Sequence, residues 1–296
     1  MSEIPDRRVA PPRYQVTERD LVLLRDLWLF RYLSSAQVSR LHFGHMKVAQ
    51  RRLRKLFGLA LVTRFRQGPA STFGDRRWIY GISRAGARAI SSGLGDGDEP
   101  FMPPSRCPSG FAYLDHHEML SDFRIWLREA CGDRRRDFSC RFVPAFEEVR
   151  DKGRRRRRIA LDSAEGHGAY IPDGVFSLDH KDGRSALFVL EIDRGTEPLR
   201  RESGTSITQK LEAFSVAFDE GLTRYGDLFD RTFRGGRLLW VVPDRPRLES
   251  ILRLAEGNDL DQVVWAAERS HFESAGDLRA SIWFVAGRTG PVGLVE

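Results

Sequence analysis

Leu21, Leu24, Leu27, Trp28 and Phe30 form an apolar stripe at helical spacing. Thr17, followed three residues later by Asp20, is a capping-box start, so a first helix is predicted here. Tyr32-Leu33-Ser34-Ser35 breaks the period. Ser34 or Ser35 can cap a short second helix with Val38 and Leu41 inward, and Phe43-Gly44-His45 is a tight connection. A third helix is predicted from about Lys47 to Phe57. Ala49, Leu53 and Leu56 at i, i+4, i+7 make its apolar face, and Lys47, Gln50, Arg51, Arg54 and Lys55 project opposite. Period-two alternation in Leu61–Arg66 and Arg76–Tyr80, around a Gly/Pro/Ser turn, predicts a hairpin. Ser83–Ile90 predicts a closing helix.

The period is lost over Ser91–Gly110, which is rich in Gly, Pro, Ser and Asp and reads as a linker. Helical spacing resumes over Tyr113–Ala130. Strand-length runs then fall at Phe138–Phe146, Gly174–Leu178, Ala186–Asp193, Arg237–Val242 and Ser281–Val285. Helical ones fall at Thr205–Phe218, Pro246–Glu256 and Ala267–Ser274. This alternation predicts an α/β domain with a central mixed sheet and no internal repeat. The expected organisation is an N-terminal domain over 1–92, a linker over 93–112 and a second domain over 113–296.

Composition narrows the class. The chain has 296 residues, 41% hydrophobic and 30% charged, which fits a globular protein rather than a disordered one. The strongest apolar runs, Ala186–Leu190 and Leu238–Val242, are strand-sized and too short to span a membrane. The polar start MSEIPDRR shows no secretory signal. Cys107, Cys131 and Cys140 form no CxxC pair, so neither a disulfide framework nor a cysteine zinc site is expected, and the cytoplasm is the expected location.

Charge divides the chain more sharply than composition does. Residues 1–92 hold 18 Lys+Arg against 6 Asp+Glu, a net of +12 within a total of +7, which leaves the remainder at −5. No acidic residue occurs between Ser34 and Phe73. An N-terminal third of this kind suits a polyanion. Two helices, a short turn and a basic third helix follow helix-turn-helix order, with the third helix as reader in the major groove. The hairpin would be the wing, placing Arg64, Arg66, Arg76 and Arg77 near phosphates. The plainer alternative is a solvated basic face. The five-arginine run Arg154–Arg158 reads as a solvated loop, or alternatively as a second phosphate contact.

The candidate chemistry lies in the second domain. Asp173 opens one strand, and Glu191 and Asp193 fall on one face at the end of the next, a costly arrangement unless they are paired or metal-bound. Three converging oxygen ligands would suit Mg²⁺ or Mn²⁺, which could activate water for phosphodiester hydrolysis. Lys210, at the edge of the following helix's apolar stripe, could reach the carboxylates or a phosphate. Alternatively Glu191 and Asp193 pair with Arg194 and Lys210 and the cluster is structural. His116 and His117 read as capping or core residues rather than ligands.

Pro172-Asp173 with Glu191-x-Asp193 resembles the PD-(D/E)xK nuclease superfamily, in which a strand Asp and a D/E-x-K strand build a metal site. Here Asp193 stands at the lysine position and Lys210 is the available substitute. The whole chain resembles the replication-relaxation family of plasmid and mobile-element proteins over about Val16–Pro243. Thr17-Glu18-Arg19-Asp20, Ala49–Leu56, Tyr80–Ala87, His116-His117, Pro172-Asp173-Gly174, the run Glu191-Ile192-Asp193-Arg194-Gly195-Thr196-Glu197 and Lys210-Leu211 carry the resemblance. The expected fold is an N-terminal winged helix-turn-helix, read from the helix order and hairpin, and a C-terminal restriction-endonuclease-like α/β domain, implied by the nuclease resemblance. The replication-relaxation resemblance implies DNA binding in plasmid replication, relaxation or mobilisation, and no established enzymatic activity. Metal-dependent nicking by Asp173, Glu191, Asp193 and Lys210, and transcription regulation with a non-catalytic dimerisation domain, are the alternatives. Expected partners are double-stranded DNA, a second copy of the chain and a relaxase or replication protein, with no membrane.

Overall fold

A computed structural model describes residues 15–66, 78–91, 111–132, 137–151, 154–161, 170–200 and 206–295. Arg76, Arg77, the expected hairpin tip, most of the expected linker and Cys107 lie outside the described residues. The chain divides into two compact units at Ile125–Trp126.

The first unit begins with α1 (Glu18–Phe30), β1 (Leu33–Ser34) and α2 (Ser35–Val38). A π-helical turn (Ser39–Phe43) closed by Gly44 in the left-handed region leads into α3 (Met46–Gly58). Then follow β2 (Val62–Arg66), β3 (Trp78–Ile82), α4 (Arg84–Ser91) and the first part of α5 (Phe111–Cys131). The predicted starts are chemically explicit. Thr17 N donates to Asp20 Oδ2 at 2.8 Å, and Ser34 N donates to Gln37 Oε1 at 2.9 Å. Leu23, Leu24 and Leu27 of α1 meet Ala49, Leu53 and Leu56 of α3 in one core, with Tyr80 and Ile82 of the sheet. Each leucine removed from water there contributes about 2 kcal/mol.

Two expectations fail locally. Leu21 is exposed and Leu23 takes the buried position. The segment read as a break in period supplies a strand, because Leu33 and Ser34 pair with Tyr80 and Ile79 and make the sheet three-stranded, in the order β1-β3-β2. Helix α5 as far as Ile125 belongs to this unit, with Leu114 and Ile125 in its packing.

The second unit continues with β4 (Phe138–Pro144), β5 (Glu148–Asp151), β6 (Arg154–Arg157), β7 (Gly174–His180), β8 (Ser185–Ile192) and α6 (Ile207–Phe229). After these come β9 (Gly236–Val242), α7 (Arg245–Glu256), β10 (Val264–Glu268), α8 (His271–Ser274), β11 (Trp283–Val285) and β12 (Pro291–Val292). Seven strands form one mixed sheet, β12-β11-β10-β9-β8-β7-β4. The central pairs β8–β9 and β9–β10 are parallel and the flanking pairs antiparallel. Helices with a large mixed sheet make this an α/β fold. Leu187, Val189, Leu238, Trp240 and Val242 face α6 and α7 through Ile207, Leu211, Phe214, Leu248 and Ile251. Ser206 caps α6 and Asp244 caps α7.

Residues 264–268 form a strand where a helix was expected from Ala267, because a run buried on both faces carries no period to separate the two. The helix shrinks to α8. Helix α6 runs on past Phe218 to Phe229, since Tyr225 and Phe229 continue its buried face. Arg154–Arg157 is not a loop: it pairs with β5, and cross-strand Glu148 lies 3.5 Å from Arg157.

Candidate functional site

Helix α3 presents the first candidate surface. Lys47, Gln50, Arg51, Arg54 and Lys55 are all exposed, opposite buried Ala49, Leu53 and Leu56. Arg52 is different. Its Nη2 donates to Asp20 Oδ2 at 2.6 Å and its Nε pairs with Asp20 Oδ1, where Asp20 is 1% exposed. It therefore ties α3 to the cap of α1, so the Thr17–Asp20 and Ala49–Leu56 motifs are two halves of one contact. Arg64 on β2 is held between the rings of Phe57 and Trp78, at 4.3 and 4.4 Å from their centroids. Arg66 lies in β2 opposite Trp78.

His117 of α5 resolves as packing, and His116 beside it is half-buried. His117 is buried, and its Nε2 lies 2.6 Å from Phe30 O at the end of α1. Burial lowers its pKa to about 3, so the ring is neutral at pH 7 and Nε2–H donates to that carbonyl.

The carboxylates occupy the carboxyl end of β8 and its surroundings. Gly174 lets β7 pass beneath Phe142, because a Cβ there would lie 2.3 Å from Phe142 Cζ. Asp173 precedes it and accepts from Ile192 N through Oδ2 at 2.8 Å, locking β7 to the last residue of β8. Glu191, 1% exposed, accepts from Tyr170 Oη at 2.8 Å and from Lys210 Nζ at 3.2 Å. Lys210 also lies 3.0 Å from Glu197 Oε2. Asp193, just beyond β8, accepts from Gly195 N at 2.9 Å and pairs through Oδ2 with Arg247 Nε. Arg247 Nη2 donates to Glu197 O at 2.6 Å. Gly195, at φ 76°, is what allows the chain to turn back on Asp193.

Charge in this cluster is shared unevenly. Burial pushes Glu191 up to about 7, against the opposing pull of Lys210. Burial also works against the Lys210 ammonium, but the carboxylates of Glu191, Asp173 and Glu197 outweigh it and raise its pKa. The Lys210 cation stays charged while Glu191 takes up a proton near neutrality.

The three carboxylates on which a metal reading depends are thus brought near one another with their oxygens committed to separate partners. Glu191 belongs to Tyr170 and Lys210, Asp193 to Arg247 and Gly195, and Asp173 caps Ile192. Among the described residues no group of three or more His, Cys, Asp or Glu is placed to hold a metal ion. The arrangement does not fit Mg²⁺ or Mn²⁺. The paired alternative is close to the observed structure, except that Arg247 rather than Arg194 holds Asp193. Nothing in the sequence marks Arg247 or Tyr170, because only the register of α7 over the sheet and the Leu161–Tyr170 bridge bring them to the site.

A family model described as replication-relaxation matches residues 24–220. The chain belongs to the replication-relaxation family. The match takes in α3, Asp173, the Glu191–Glu197 run and Lys210, and stops before Arg247. Membership suggests a role in the replication or relaxation of plasmids or mobile elements. No curated protein and no solved structure matches the chain. No described helix of this replication-relaxation protein is long and apolar enough to cross a membrane.

Proposed function

We propose that this chain is a double-stranded DNA-binding protein of a plasmid or mobile element, acting in replication, relaxation or mobilisation. The observation that carries the reading is the exposed, acid-free face of α3. Helices α1, α2 and α3 with the β1-β3-β2 sheet follow winged helix-turn-helix order, in which α3 lies in the major groove. Lys47, Gln50, Arg51, Arg54 and Lys55 then meet the groove. Arg64, pinned by two aromatic rings, supplies a positioned backbone contact on the hairpin, with Arg66 on the same strand. The second unit has no catalytic role in this reading, because the oxygens of Glu191 and Asp193 are already engaged.

The test is duplex affinity measured against salt for wild type and R51A/R54A. Removing two cations from the groove-facing surface weakens binding and makes the log–log slope shallower. Unchanged affinity and slope would sink the reading.

A further inference from the structure

The second unit carries a basic cleft that neither the fold nor the carboxylate cluster uses. It has a volume of about 660 Å³ and is lined by Arg184, Arg237, Arg279 and Arg288. No Asp or Glu lines it among the described residues, although residues 93–296 sum to −5. Its position separates it from the carboxylates. Ala186 and Phe188 line it, whereas Leu187, Val189 and Glu191 point to the opposite face of the sheet. It also sits at the opening ends of β8 and β9, and the carboxylates sit at the closing end of β8.

The four arginines are not equivalent. Arg184 Nε donates to Asp182 Oδ2 at 2.8 Å, and Arg279 lies 3.9 Å from Asp137 Oδ2. Arg237 and Arg288 are exposed and make no ion pair among the described residues. Aromatic rings form part of the wall. The Arg237 guanidinium lies 4.9 Å over Trp265, and Arg279 lies 5.9 Å over Phe138. Stacking on a ring fixes a guanidinium while its N–H edge can still donate to a phosphate. Arginines interleaved with aromatics along a groove are the chemistry of single-stranded nucleic-acid binding. The volume is in the range of ligand sites and far too small for a duplex.

We propose that this cleft binds a single DNA strand, with its phosphates on Arg237 and Arg288 and a base against half-buried Phe138, since Trp265 and Phe188 are buried in the floor. The site is separate from the α3 face and does not rest on the duplex reading. The test uses the full chain, a labelled oligothymidylate, a labelled duplex and thymidine monophosphate. R237A/R288A is expected to weaken the oligothymidylate about tenfold or more. It should make the salt slope shallower by about 1.4 and leave duplex affinity unchanged. Because both arginines are exposed, alanine leaves the fold intact, and R237K/R288K, which keeps the charge, restores the slope. R51A/R54A should weaken the duplex and spare the single strand. Oligothymidylate binding that is indifferent to R237A/R288A overturns the proposal. Thymidine monophosphate binding as tightly as the oligomer also overturns it, since the ligand would then be a free nucleotide.

Discussion

Replacing Arg247 by methionine removes the cation from Asp193 while keeping much of the side chain's apolar volume. The Asp193 side chain is 1% exposed and that of Arg247 13%, so the carboxylate left behind has little water to turn to. Breaking one side of such a buried pair costs about 3–5 kcal/mol, most of it the penalty for an uncompensated charge. At a slope of roughly 2 kcal/mol per molar urea, the unfolding midpoint of the second unit falls by about 2 M. Tryptophan fluorescence follows it, because Trp240 lies in the same core, 5.8 Å from Lys210 Nζ. D193N/R247M removes the charge as well and still accepts from Gly195 N, so it should recover at least about 2 kcal/mol. A loss under about 1 kcal/mol in R247M would refute the argument. So would a double variant no more stable than the single one, since the cost would then come from packing.

Glu191 gives a pH prediction. Its carboxyl rises from an ordinary 4.5 to about 7 on folding, chiefly through burial. A raised folded pKa contributes stability that is fully present below pH 4.5 and lost as pH rises through 7. The second unit should therefore lose about 3 kcal/mol across that window, and Glu191→Gln should flatten the dependence. Denaturation midpoints at pH 5 and pH 8 that do not differ in wild type would contradict this. In the first unit, Arg52→Met strands Asp20 and should cost about 3 kcal/mol, whereas Arg51→Ala and Arg54→Ala should stay within about 0.5 kcal/mol. Thermal melting separates them, and equal losses at positions 51 and 52 would remove the distinction between a tie and a reading face.

The legible parts of the chain were those where local chemistry and tertiary burial agree. The α1 start was written in Thr17 and Asp20, and α3 in the spacing of Ala49, Leu53 and Leu56. The central strands β8 and β9 were written in their apolar runs. Residues 264–268 were illegible as a strand because full burial erases alternation. The short β1 was illegible because two residues carry no period and acquire one only from Tyr80 and Ile79. The arginine run failed as a loop because its partners lie elsewhere in the chain, Glu148 on β5 and Glu147 just before it.

By itself the sequence determined that the N-terminal third is basic, that α3 has one apolar and one cationic face, and that Glu191 and Asp193 share a side of one strand. Periodicity and charge are properties of neighbours along the chain, so they survive without a fold. Only the tertiary structure decided what those carboxylates face. Lys210, Tyr170 and Arg247 come from elements separated in sequence, and their arrival converts a candidate metal site into two buried ion pairs. The same is true of the cleft. Arg184, Arg237 and Arg288 are unremarkable in an arginine-rich chain and become one surface because β7, β8, β9, β10 and the C-terminal strands lie side by side.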